Sequence, residues 1–239
     1  MKGMVLEPLA SAEAVLTGDE REMGVVLVDI GGGTSDIAIF KNGVLAHTAV
    51  IPVAGYQFTN DIAMALGVPY EVAEEAKLKY GHVILDEVGS DETILIPGSP
   101  GEEPHRVRRR DFCCFLNDRA TELLRLIRLK IKQAGLGVMP PGGIVFTGGG
   151  ANLPGWEQLT REYLPGPVRI APPRDILGLP AELKSPTYST SIGILLWGIY
   201  HPVEQQAYKE HESNGNTFTK GRHWLQLLAQ FMGARKAYT

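Results

Sequence analysis

Two glycine-rich turns hold the residues best able to do chemistry. Asp29-Ile-Gly-Gly-Gly-Thr-Ser-Asp36 lies between two apolar runs, and Thr147-Gly-Gly-Gly-Ala-Asn-Leu-Pro-Gly155 follows a third. Glycine at Gly31, Gly32 and Gly33 lets backbone N–H groups approach a ligand with no Cβ in the way and form a nest for an anion, which suits phosphate. Asp29 could hold a magnesium ion through water, since magnesium keeps several waters and takes only one or two carboxylates. Thr34 could add a hydroxyl contact to phosphate. In the second turn, Gly148, Gly149, Gly150 and Ala151 permit the backbone to lie flat against a nucleoside, ahead of a helix whose N-terminus would carry phosphate. A single glycine triplet is common in tight hairpins, but two such turns point to a nucleotide. Neither turn has the Gly-Lys-Ser/Thr ending of a P-loop nor the Gly-x-Gly-x-x-Gly spacing of a dinucleotide fold, so a different nucleotide fold is implied.

The elements that must position these turns follow from periodicity. Gly24 to Ile30 is a continuous, β-branched apolar run too short for a helix and reads as a buried strand. Ser35 to Phe40 and Val44 to Ile51 flank Asn42-Gly43, a strong hairpin signal because both turn positions favour positive φ, so an antiparallel meander is expected. Phe58, Ile62, Ala65 and Leu66 recur at helical spacing, and Pro69 suits the first turn of a second helix reaching about Tyr80. Gly, Ser and Pro break the pattern between 81 and 110, where loops with one or two short strands are expected, and the Arg106 to Arg110 run reads as a solvated helix start. A long amphipathic helix runs from Asp111 to Ala134 with Gly135 as its C-cap. Gly143 to Thr147 and Val168 to Ile170 read as strands, Trp156 to Tyr163 and Ser189 to Tyr200 as helices. The alternation is that of an α/β protein.

Bulk properties remove other classes. At 239 residues and 44% hydrophobic, the chain can bury one good core or two modest ones. A formal charge of −4 gives no broad cationic surface, so no nucleic-acid partner is expected. The two cysteines, Cys113 and Cys114, are adjacent, which supplies neither a disulfide framework nor zinc-ligand spacing and fits a reducing cytosol with core-filling thiols. No apolar run approaches the roughly 20 residues that span a bilayer.

Taken in order, the two turns resemble the second phosphate loop and the adenosine motif of the actin, sugar-kinase and heat-shock-chaperone ATPase superfamily. Ala73-Glu-Glu-Ala-Lys77 resembles the helix on which bacterial actins set a glutamate and a lysine against ribose and adenine, matching Glu74 and Lys77; a solvated helix face is the plainer reading. Glu7-Pro-Leu-Ala-Ser, His47-Thr-Ala-Val-Ile-Pro52 with Asp61-Ile-Ala63, and Tyr188-Ser-Thr-Ser-Ile-Gly193 resemble the bacterial cell-division family FtsA in particular. The resemblance implies an α/β actin-like ATPase lobe, a ribonuclease-H-like mixed sheet with flanking helices, plus a smaller helical subdomain. Residues 1–23 would be a connecting segment from a first lobe, 24–200 the second lobe with an inserted subdomain at about 69–135, and 201–220 a polar linker. It further implies ATP and magnesium as cofactors, self-polymerisation, and tethering of the tubulin-like protein FtsZ on the inner face of the bacterial membrane at the division site. A rod-shape or pilus-assembly actin homologue, or a chaperone-type ATPase, is the alternative. The first phosphate loop of the superfamily is not among these residues, so the sequence reads as a C-terminal portion of an FtsA. Phosphoryl transfer relies on positioning from both sides of the phosphate, and hydrolysis by this chain alone is not expected.

The last segment, 221–236, adds an independent physical signal. Trp224, Leu225, Leu227, Leu228, Phe231 and Met232 fall on one helical face, flanked by Arg235 and Lys236, the layout of an amphipathic membrane-targeting helix drawn to anionic lipid. Each buried large side chain contributes roughly 1.5–3 kcal/mol at best, so one copy would hold the membrane loosely and a polymer presenting many copies would hold it firmly.

Overall fold

The computed structural model describes residues 4–98 and 103–201. The linker beyond His201 and the segment 221–236 lie outside the described residues. After a helix α1 (Glu7–Val15) and a short helix α2 (Gly18–Met23) with a Thr17–Glu20 capping box, the chain builds the meander β1 (Val25–Ile30), β2 (Ser35–Lys41) and β3 (Val44–Ile51). Asn42 (φ 51°) and Gly43 (φ 77°) both take the left-handed conformation that the Asn-Gly pair foretells. Helices α3 (Gly55–Leu66) and α4 (Tyr70–Tyr80) follow, then the hairpin β4 (Thr93–Ile96) and β5 (His105–Arg108), the long helix α5 (Arg109–Gln133), β6 (Ile144–Thr147), α6 (Trp156–Tyr163), β7 (Val168–Ile170) and α7 (Ser189–Tyr200).

The main sheet has the order β3-β2-β1-β6-β7. β1 pairs antiparallel with β2 and parallel with β6, and β6 pairs parallel with β7, so the sheet is mixed. Its central strand is covered on both sides, which is why β1 is apolar without alternation. Val26, Val28 and Ile30 enter one core with Phe58 and Ile62 of α3, Phe112, Leu116 and Leu123 of α5, and Trp156 of α6. Val25 and Leu27 enter the other, with Ala12 and Val15 of α1 and Ile192 and Leu196 of α7. β3 is one of the two edge strands, and its alternating exposed and partly covered residues reflect one open face.

Between 81 and 110 the two short strands are present as a hairpin, with Thr93 opposite Arg108 and Ile96 opposite His105. The arginine run is only in part the solvated helix start expected of it, since Arg109 and Arg110 open α5 but the rest does not. Arg106 and Arg108 belong to β5, while Arg109 turns inward: its Nε donates to the Tyr80 carbonyl (2.8 Å) and its Nη1 to Glu92 (3.0 Å). Arg110 pairs with Asp86. These acceptors come from remote segments, which a local reading of charge cannot supply. Cys113 is fully buried among the α5 core residues and Cys114 partly so; burial pushes both thiols up, away from reactivity.

Helices α1 and α7 make the closest helix contact on their face of the sheet. A Cβ placed on Gly193 would stand 1.8 Å from the Ala10 carbonyl oxygen, so the two backbones touch and only glycine fits. Gly193→Ala must force the helices apart. The expected cost is about 1–3 kcal/mol, read as a lower urea midpoint with an unchanged slope; a midpoint equal to that of the parent chain would show that the crossing yields freely.

Candidate nucleotide-phosphate site

Parallel pairing sets Asp29 of β1 beside Thr147 of β6, so both strands end at one edge and their glycine turns abut. Open α/β sheets bind ligands outside such carboxyl ends. The fit between the turns is tight: Gly148 has φ 84°, and a Cβ there would lie 2.2 Å from Asp29 Oδ1, while one on Gly150 would lie 2.4 Å from Ile30 Cγ2. The second turn continues as a 3₁₀ turn, Gly149–Asn152, and α6 starts at Trp156, where the sequence places it. Trp156 Nε1 donates to the Gly150 carbonyl (2.9 Å) and fixes the turn from below. Ala151 packs its methyl into the core, leaving only its backbone to face a ligand.

The first turn is instead braced by α3. The Gly55 N–H donates to the Gly31 carbonyl (3.1 Å) and the Tyr56 N–H to the Gly32 carbonyl (2.6 Å); Gly31 N–H closes on the Thr34 carbonyl (2.9 Å). With the carbonyls drawn toward the start of α3, the N–H groups of Gly32, Gly33 and Thr34 have no acceptor among the described residues, and all three residues are exposed. The loop thereby offers donors outward, which is what an anion requires. Thr34 Oγ1 donates to Asp36 Oδ2 (3.0 Å).

Asp29 is only 3% exposed. Its Oδ2 accepts from Ser11 Oγ of α1 (2.5 Å) and from Thr190 Oγ1 of α7 (2.9 Å), and the two hydroxyls are themselves 3.0 Å apart. Burial pushes its carboxyl above the ordinary carboxylate range, the two hydroxyls pull it back, and the charge of Asp36 adds to the upward push. Glu7, at the start of α1, is also raised, first by burial and then by Asp36 and Asp29. Three carboxylates thus share one negative field beside a donor-rich loop. A hydrated divalent cation with phosphate would satisfy both halves. Among the described residues no three His, Cys, Asp or Glu side chains are grouped to ligate a metal directly, and a single buried carboxylate is compatible with a cation that keeps most of its waters.

Glu74 and Lys77 do not form a solvated face. Lys77 is buried, and its Nζ donates to Glu74 Oε2 (2.7 Å), Thr59 Oγ1 (2.8 Å) and the Gly55 carbonyl (3.3 Å); Thr59 Oγ1 also donates to Glu74. Gly55 therefore links the lysine on α4 to Gly31 in the phosphate-type loop. The structure brings Asp29, Gly31 to Thr34 and Gly148 to Gly150 together directly, and reaches Glu74 and Lys77 through α3. Residue patterns alone left Ser11, Thr190, Thr59 and Glu7 without a role. Three of them are single hydroxyls in helices, and only their distance from Asp29 or Lys77 reveals them.

A family model for "Cell division protein FtsA" matches residues 26–193. The chain is 40% identical over 230 residues to the cell division protein FtsA of Pseudomonas aeruginosa, covering 93% of this chain and 55% of that protein. It is 37% identical over 233 residues to the FtsA of Escherichia coli, covering 93% and 56%. The chain thus spans about half the length of the curated relatives it matches. In fold it is similar to the crystal structure of MreB 5 of Spiroplasma citri bound to AMPPNP, with a TM-score of 0.65 at 20% identity over 81% of this chain and 58% of that one. It is also similar to a non-polymerising MamK mutant, with a TM-score of 0.54 at 20% identity over 78% and 56%. The mixed sheet, its two helical layers and these matches agree: this chain belongs to the FtsA family of cell division proteins and has the actin-like fold.

Proposed function

We propose that this chain furnishes the second-lobe wall of an ATP and magnesium site in an actin-like division protein, which self-assembles on the cytoplasmic face of the bacterial inner membrane and tethers FtsZ to the division site. The abutting glycine turns around Asp29 carry the nucleotide part of this reading. Gly31 to Thr34 would hold phosphate, Gly148 to Ala151 would lie along the nucleoside, Glu74 and Lys77 would bound the ribose side, and Asp29 would orient water on magnesium. Magnesium, when bound, neutralises phosphate charge. Similar folds with nucleotide, AMPPNP in MreB 5 and ADP in another MreB5 structure, support the assignment. In the same reading 1–23 connects to a first lobe, and the subdomain at about 69–135 is an insertion in the second lobe at 24–200.

The membrane part rests on the apolar face of Trp224, Leu225, Leu227, Leu228, Phe231 and Met232 with Arg235 and Lys236 at its end. Among the described residues no helix is long and apolar enough to cross a membrane; with one apolar face and basic residues at its end, the 221–236 stretch would attach at the interface.

Titrating the chain with a fluorescent ATP analogue and magnesium is expected to show binding weaker than about 1 μM, since these residues line one side of the nucleotide, with a further loss of about tenfold in Asp29→Ala. Equal binding by Asp29→Ala would remove Asp29 from the site. Because Glu7 and Asp29 titrate above 4.5 and 3.8 respectively, magnesium-dependent affinity should fall on acidification sooner than ordinary carboxylates would dictate. Without cation the sign reverses for stability: ionised Asp29 is costly when buried, so the metal-free fold loses stability as pH rises from 3.8 through the raised value. Liposome co-sedimentation with anionic lipid tests the anchor; Trp224→Glu with Phe231→Glu should abolish pelleting, and unchanged pelleting would end that assignment.

A further inference from the structure

Asp29 is held in a way the nucleotide reading does not require. Both hydroxyls act on one oxygen: Ser11 Oγ and Thr190 Oγ1 converge on Oδ2, while Oδ1 is directed at Gly148, where a Cβ would come within 2.2 Å of it. The donors are on different helices, α1 and α7, whose backbones touch at Ala10 and Gly193, the first next to Ser11 and the second about one turn from Thr190. Neither donor is idle surface. Ser11 is fully buried and also lies 3.2 Å from the Glu7 carbonyl; Ser189, next to Thr190, is buried against Thr147 Oγ1 at 2.6 Å, which joins the start of α7 to the end of β6. A carboxylate on a strand end has a broad χ2 well and would otherwise turn. Two donors from crossing helices remove that freedom, because rotating the group would leave a buried oxygen without partners.

We propose that Ser11 and Thr190 are positioning residues for the cation: the pair fixes the Asp29 carboxylate so that Oδ1 alone is available to order the water shell of a divalent metal, and the α1–α7 crossing sets that orientation. The inference rests on the nucleotide reading above and adds to it the residues that aim the carboxylate. A change in the crossing angle of the two helices therefore reaches the metal's water shell through two hydroxyls and the Asp29 carboxylate.

The test compares nucleotide affinity with magnesium and with EDTA, using the fluorescent ATP analogue and the full chain. Thr190→Val keeps the shape and removes the donor; Ser11→Ala does the same on α1. Each is expected to shrink the magnesium-dependent gain by several-fold and the two together by about tenfold, with affinity in EDTA within about twofold of the parent. Thr190→Ser should restore the gain, which loss of packing alone would not explain. If Thr190→Val folds with a parental melting curve and keeps the full magnesium gain while Asp29→Ala loses it, the positioning role is wrong and the nucleotide reading stands. If Asp29→Ala also keeps the gain, both fail. Should the double variant not fold, the single Thr190→Val and its serine rescue decide the matter.

Discussion

Parallel pairing between β1 and β6 is the constraint on which the rest depends. Residues 26 to 29 of one strand run beside 144 to 147 of the other, and no short connection can join strands that point the same way. After β2 and β3 extend the sheet, the chain must therefore cross back over one face, which it does through α3, α4, the small hairpin and α5. The same pairing brings two turns, separated by more than a hundred residues, to one edge. Glycine at 148 and 150 follows from that geometry as directly as from any ligand, since β1's last residues already fill the space a side chain would need.

Two faces of the sheet divide the labour. The face of Val26, Val28 and Ile30 carries most of the apolar mass, including Phe146 stacked on Trp156 at 5.7 Å and Phe58 edge-on to the same indole at 6.0 Å. The opposite face is thinner, with α1 and α7 lying close enough for backbone contact, and it is on this face that Asp29 is buried. A buried carboxylate raises the cost of its own ionisation, and the hydroxyls from the two helices offset part of it. Polar chemistry thus sits where the packing is made from small residues, Ala10, Ser11 and Gly193, that let donors come near.

Much of this was legible in the residues. The strand limits of β3 and β7 and the helix limits of α6 and α7 coincide with those read from periodicity, because long apolar stripes and an Asn-Gly turn leave few alternatives. The two glycine turns stood out for the same reason, since Asp-Ile-Gly-Gly-Gly-Thr has few structural uses. What was hidden is non-local. Arg109 bonds a carbonyl 29 residues away, Lys77 reaches back 22 residues to Gly55, and the bracing of the first loop by α3 needs a helix start whose only signature is a glycine. Periodicity reports which face of an element is apolar; it does not report which hydroxyl on that face will meet a carboxylate from elsewhere. The start of α6 at Trp156 was legible in the same way, but not that its indole reaches back to donate to the Gly150 carbonyl.

The meeting of Ser11 with Thr190 also has a consequence in time. The two residues are 179 positions apart and the bond from Thr190 to Asp29 spans 161. On a ribosome adding roughly 5–20 residues per second, the first strands are complete on the order of ten seconds or more before α7 exists. Until then the second hydroxyl is missing, and the carboxylate at the end of β1 has a single donor and an open flank. During that interval the carboxylate at the strand end can keep water on its open flank, and it becomes buried only as the later elements cover it. Completion of the last described helix is then the step at which the edge of the sheet acquires its final electrostatic form.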